Sequence, residues 1–176
     1  TRTNEALVYT RTLGRANDLY LTEDEGRSWS ASGLNLEGSI FHLWRHPFHP
    51  QEIWINHAEG LSYSEDGGRR FEEVSFEAEG LTLRPRELSL LGGGVDSGGA
   101  VRLFMSVNRY PTSLLLTSGD RGVTWRQIHS VNDSYESLLY LDGTLMVSTP
   151  FEGLFVYEVP PLRTEDETQA DEVEEH

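Results

Sequence analysis

The sequence predicts an all-β protein made of β-propeller blades, about three and a half four-stranded antiparallel sheets belonging to a larger ring. Three observations predict it. An eight-residue pattern recurs as Thr22-Glu23-Asp24-Glu25-Gly26-Arg27-Ser28-Trp29, Ser64-Glu65-Asp66-Gly67-Gly68-Arg69-Arg70-Phe71 and Ser118-Gly119-Asp120-Arg121-Gly122-Val123-Thr124-Trp125. Each copy follows a short apolar run: Leu19-Tyr20-Leu21, Leu61-Ser62-Tyr63 and Leu114-Leu115-Leu116. No stretch sustains a helical period, whereas short runs with apolar residues at alternate positions and Gly, Pro or Asn at their ends fill the chain. Self-similarity at roughly 40 to 55 residues marks an architecture of repeated units.

Aligning the chain on the three copies places the strands. The first repeat has residues 6–10 and 18–22 as a hairpin, the patterned turn, and then 29–31. The second reads 40–44, 53–56, 61–64 and, after its turn, 71–76. The third reads 87–91, 101–107, 113–117 and 125–130, with Gly92-Gly93-Gly94 as a flexible turn after its first strand. A fourth reads 137–141, 144–149 and 153–159 and carries no patterned turn, although its Gly153-Leu154-Phe155-Val156-Tyr157 parallels Gly60-Leu61-Ser62-Tyr63-Ser64. Lettered A to D from the central channel outward, the pattern falls on the C–D turn. The first repeat then lacks strand A and the last lacks strand D, which leaves 14 strands. Propellers close at about four to eight blades. The bare edges therefore predict a further surface against them: an N-terminal half, a second copy of the chain, or another subunit. A free compact monomer is the least expected state.

Each residue of the pattern has a local use. The Ser or Thr ends strand C, and Asp24, Asp66 and Asp120 can accept N–H groups of their own turns. Gly26, Gly68 and Gly122 suit a positive φ that a side chain resists. Trp29, Phe71 and Trp125 start strand D and pack between neighbouring sheets. These residues are expected to hold structure rather than to catalyse or bind metal, since oxygen ligands at calcium-loop spacing are missing.

Charge and composition narrow the functional classes. The chain has 176 residues, 29 acids against 14 basic residues that are all Arg, and a net charge of −15. Such a surface repels nucleic acid and anionic membranes. Seven of the acids crowd residues 164–176, so the expected organisation is a propeller segment over 1–162 and an acidic, disordered tail over 163–176. No apolar run is long enough to span a bilayer as a helix. Without cysteine there is neither a disulfide nor a thiolate metal site, and no cofactor is expected. The chain opens at Thr1 without an initiator Met, as a chain would if a leader or a larger segment had preceded it.

The three patterned turns resemble the Asp-box, or BNR repeat, of sialidases, xyloglucan-degrading glycosidases, sortilin-type receptors and photosystem II assembly-factor-like propellers. Residues 43–54 also resemble that group's link from strand A to strand B, in which an acid precedes a proline; here His46 stands in the acid's place before Pro47. The resemblance covers roughly residues 5–159. It implies a propeller fold, and it spans enzymes and non-enzymes alike. The plain repeats resemble most the assembly-factor-like branch, implying a non-catalytic scaffold that docks a protein partner, in a periplasmic or extracellular bacterial setting. The alternative implied is the C-terminal half of a sialidase- or xyloglucanase-like glycoside hydrolase. A sialidase would show an Arg-Ile-Pro motif near its first blade, and none occurs.

On the face opposite the patterned turns, the B–C and D–A loops offer two sets of residues. Asp18, Glu59, Asp133 and Glu152 are the acids a glycosidase would draw on. Arg11, Arg15, His57, Arg84, Arg86, Arg109, Tyr110, Tyr135 and Phe151 are residue types that anchor protein interfaces, and they form the expected binding set. His42, His46 and His49 crowd one strand and its turn, where packing is expected in preference to a metal.

Overall fold

The computed structural model describes residues 6–10, 18–32, 39–96 and 98–160. They form four antiparallel sheets, a partial β-propeller. The first sheet holds β1 (Ala6–Thr10), β2 (Asp18–Thr22) and β3 (Ser30–Ala31) in that order. The second holds β4 (Ile40–Arg45), β5 (Ile53–His57), β6 (Gly60–Ser64) and β7 (Glu72–Val74). After β8 (Glu77–Ala78) and a 3-10 turn at Pro85–Glu87 comes the third, with β9 (Leu88–Val95), β10 (Val101–Arg109), β11 (Thr112–Ser118) and β12 (Thr124–Val131). The fourth holds β13 (Ser137–Leu141), β14 (Thr144–Thr149) and β15 (Gly153–Glu158). The first sheet is thus B–C–D, the two middle ones A to D, and the last A–B–C.

Three apolar clusters lie between successive blades. Leu19 of the first blade meets Ile53 and Ile55 of the second, with Phe71 packed against them. Trp54 and Leu61 of the second meet Leu103, Leu116 and Trp125 of the third. Phe104 and Leu115 of the third meet Tyr140, Leu145 and Val147 of the fourth. Strand alternation explains this arrangement: Ile53 and Ile55 point to one neighbouring blade while Trp54 points to the other, so β5 is buried along its whole length. Each such fully buried side chain contributes roughly 1.5–3 kcal/mol.

Two sequence expectations need correction. Gly92, Gly93 and Gly94 are not a flexible turn but the middle of β9, paired with Phe104, Leu103 and Arg102. A Cβ on Gly92 would lie 2.7 Å from Leu138, and one on Gly94 2.7 Å from Tyr140, both in the fourth blade. A Cβ on Gly93 would lie 2.7 Å from the Arg102 carbonyl and 3.0 Å from Trp44 of the second blade. Inner strands crowd together where blades converge, so glycine here serves close approach rather than bending. The turn falls instead at 96–100, where the Asp96 N–H donates to the Ala100 carbonyl at 3.0 Å. The second correction concerns the outer strand expected over 71–76. It stops at Val74, and the chain crosses to the third blade, where β8 runs parallel to β12.

Candidate functional site

The three patterned turns share one hydrogen-bond scheme. The hydroxyls of Thr22, Ser64 and Ser118 each accept the N–H of the glycine four residues on, at 2.9 Å in all three, and each donates to its Asp two residues on. Asp24 accepts the Ser28 N–H at 2.8 Å, Asp120 the Thr124 N–H at 2.9 Å, and Asp66 the N–H groups of Arg69 and Arg70 at 2.9 Å. The glycines sit at φ of 85°, 91° and 92°. The Ser28 hydroxyl, followed by the Ser28 N–H and the Thr22 hydroxyl, holds Asp24 down to about 2. Burial works against ionisation of Asp66 and Asp120, yet these hydrogen bonds outweigh it and keep both below the usual carboxylate range. A carboxylate bound this way is a poor proton donor or acceptor for chemistry.

The patterned turn also reaches across to the preceding blade. The Trp54 indole N–H donates to the Arg121 carbonyl at 3.0 Å, and the Arg121 guanidinium lies 5.8 Å from the centre of the Tyr63 ring. A Cβ on Gly122 would meet Leu61 at 2.7 Å. One blade earlier, Arg69 of the second turn pairs with Glu23 of the first. The aromatic that begins strand D follows the same direction: Trp125 is 2% exposed against the second blade, whereas Trp29, with no described blade before it, is 44% exposed.

On the opposite face the expected binding residues fall into three groups. Arg84 and Arg86 are exposed around the 3-10 turn, and Arg109 is tied to that turn through Glu87 at 3.2 Å and to the Thr82 carbonyl. Tyr110, next along the B–C turn of the third blade, is fully exposed. Phe151 is 91% exposed on the B–C turn of the fourth blade, where its N–H donates to Asp133 at 2.9 Å. Two other members of the set point inward. His57 is buried with Nε2 at 2.8 Å from the Ser62 hydroxyl, and its Nδ1 accepts the Glu59 N–H. Tyr135 is buried with its hydroxyl 2.7 Å from His129 Nδ1, and burial pushes its phenol well above the ordinary value. Arg11 and Arg15 lie outside the described residues, as does the acidic tail over 163–176.

Of the candidate acids, Asp133 accepts the N–H groups of Phe151 and Ser134, which overcome its desolvation and keep it below the usual carboxylate range. A glycosidase acid needs the opposite shift. Among the histidines, buried His46 is a turn acceptor: its Nδ1 takes the N–H groups of Phe48 at 3.0 Å and His49 at 2.9 Å. No group of three or more metal-ligating side chains occurs among the described residues. No helix among them is long and apolar enough to cross a membrane.

A feature the sequence reading did not single out is the outer face of the fourth blade. Leu139, Leu141, Leu154 and Val156 are all more than half exposed there. The signal was present, because Leu154 occupies the position of Leu61 in the aligned repeats, and Leu61 is covered by the next blade's turn.

No protein-family model matches the chain, and no curated protein matches it either. Solved structures do. YCF48 from Cyanidioschyzon merolae superimposes with a TM-score of 0.54 at 20% identity, over 77% of this chain and 44% of that one. An ancestral GH74 enzyme gives 0.55 at 11% identity, over 79% and 20%. The NanB sialidase from Streptococcus pneumoniae gives 0.52 at 13% identity, over 89% and 28%. The chain spans less than half the length of each of these proteins. With three hydrogen-bonded Ser/Thr-x-Asp-x-Gly turns in register and blades stacked around inner strands, its fold is that of the Asp-box β-propellers.

Proposed function

We propose that this segment is a non-catalytic scaffold that holds a protein partner on its B–C loop face and through its open blade edges. The observation that carries this reading is the pair of ring side chains at neighbouring loop tips, Tyr110 fully exposed and Phe151 91% exposed, each on a short turn between paired strands. A rigid aromatic on a tight turn anchors a protein contact at small entropic cost. Arg84, Arg86 and Arg109 beside Tyr110 give that anchor a cationic rim on an otherwise acidic chain, which favours a partner with carboxylates opposite them. Of the four acids the glycosidase alternative would draw on, Asp18, Glu59, Asp133 and Glu152, Asp133 is occupied by backbone N–H groups. An exported setting goes with the scaffold reading, and fractionation of the source cells checks it.

The test is photo-crosslinking in the source cells. A benzophenone amino acid at position 110 or 151 should trap one discrete protein, and the same label at Arg70 on the opposite face should not. Tyr110→Ala with Phe151→Ala should abolish a cross-link made from a label at Arg86, with stability changed by under about 0.5 kcal/mol because both rings are exposed. Loop-tip labels that trap nothing would sink the reading, as would sugar-polymer cleavage that Glu152→Gln abolishes.

A further inference from the structure

The two bare ends of the structure are the two halves of one interface that repeats inside it. Between blades, a Leu on strand C of the earlier blade is covered by the later one. A patterned turn covers it with Trp125 at Leu61 and with Phe71 at Leu19; at Leu115 the cover is Tyr140, Leu145 and Val147 of the fourth blade, which has no patterned turn. Leu19, Leu61 and Leu115 occupy that position in the first three blades and are 3%, 0% and 0% exposed. Leu154 occupies it in the fourth and is 65% exposed. Around Leu154 the same sheet face carries Val156, Met146 and Leu139, cross-strand partners in one row. The corresponding row in the second blade, Trp44, Trp54 and Tyr63, is the one that receives the third blade. At the other end stands Trp29, held by its indole N–H to the Gly26 carbonyl at 3.1 Å, as Trp125 is held to Gly122 at 2.8 Å. Trp125 is buried against an earlier blade; Trp29 has none among the described residues.

We infer that the Trp29 turn of one copy of this chain seats on the Leu154 face of a second copy, head to tail, and that two copies close a ring through two identical contacts. This deepens the scaffold reading by naming what covers the open edges, and it does not depend on what the loop face binds. A contact between different surfaces forms a closed assembly only if the rotation closes. Four sheets from each copy, the first and last of them three-stranded, give eight blade positions, within the range of roughly four to eight at which propellers close. An apolar face that accepts an aromatic ring from a neighbouring Asp-box turn is already built twice in this molecule, with an indole at Leu61 and Trp125 and with a phenyl ring at Leu19 and Phe71.

Light scattering and sedimentation on the 176-residue chain test this. At ~100 µM the mass should be twice 19.9 kDa. Leu154→Asp and Trp29→Asp should each give 19.9 kDa with an unchanged far-ultraviolet spectrum, since Leu154 is 65% and Trp29 44% exposed and the indole N–H bonds within its own turn. An equimolar mixture of the two variants should regain a one-to-one complex through the one intact contact, seen by native mass spectrometry. Tyr110→Ala with Phe151→Ala should leave the dimer untouched, so that a failure of loop-face binding and a failure of ring closure are told apart. A native chain that stays at 19.9 kDa overturns the inference. So does a dimer that survives either charged variant, or a variant mixture that stays monomeric.

Discussion

His46, the residue before Pro47, is a buried acceptor that holds its own turn together. Nδ1 accepts two N–H groups of the turn 46–49, so the ring must stay neutral there. His57 accepts the Glu59 N–H in the same way. Burial depresses both, opposed by Glu52 at His46 and Glu73 at His57, and His49 adds to the effect at His46. Their folded values lie below the ordinary 6.5, so the unfolded chain takes up protons first as the pH drops. The stability they carry is complete above pH ~6.5 and is lost as the pH falls through their folded values. Urea midpoints taken from pH 8 down to pH 5 should fall below that point. His46→Asp, whose carboxylate accepts the same N–H groups, should fall less; an equal slope would dismiss His46 as a contributor. This role was illegible in the sequence because an imidazole nitrogen donates or accepts according to its surroundings. The Ser/Thr, Asp and Gly of the patterned turns were legible because their hydrogen-bond partners lie within four positions. His57 and Tyr135 were named for a surface they do not reach, since a polar residue at a strand end reads alike whether its partner is solvent or a buried hydroxyl.

At the scale of the element, strand positions followed directly from alternation and turn chemistry, and the fourteen expected strands all occur among the fifteen observed. What alternation could not show was pairing between distant segments. The parallel bridge of Glu77 and Ala78 to Thr124 and Trp125 joins residues 47 apart and leaves no local periodicity. The glycine run of β9 misled for a related reason: its cause lies in Leu138, Tyr140 and Trp44 on two other blades. Gly93 makes this testable, because a Cβ there meets the Arg102 carbonyl at 2.7 Å and backbone cannot rotate away as a side-chain tip does. Gly93→Ala should therefore cost about 1–3 kcal/mol in urea unfolding despite the better strand propensity of alanine. A neutral or stabilising result would mean that the inner strands are not packed as tightly as the structure places them.

For the whole molecule, the repeats count the blades and also show which two faces have no neighbouring blade among the described residues, because Leu154 and Trp29 break the burial pattern of their aligned counterparts. The sequence could not show that these faces are complementary, since that depends on which side of each sheet a row occupies. Their joining must work against electrostatics. Each copy carries −15, so two copies repel, and the contact between them is apolar. Salt screens the repulsion over a Debye length of about 10 Å at 0.1 M and about 3 Å at 1 M, without weakening apolar burial. The dissociation constant of the dimer should thus fall as sodium chloride rises from ~0.02 to ~0.5 M, the reverse of a contact built from opposite charges. Removing residues 164–176 takes away seven acids, leaves −8, and should tighten the dimer most at low salt. The melting temperature should also rise with protein concentration, because association stabilises the folded chain by mass action. A dimer that loosens with added salt would place the contact on Arg–carboxylate pairs and away from the Leu154 row.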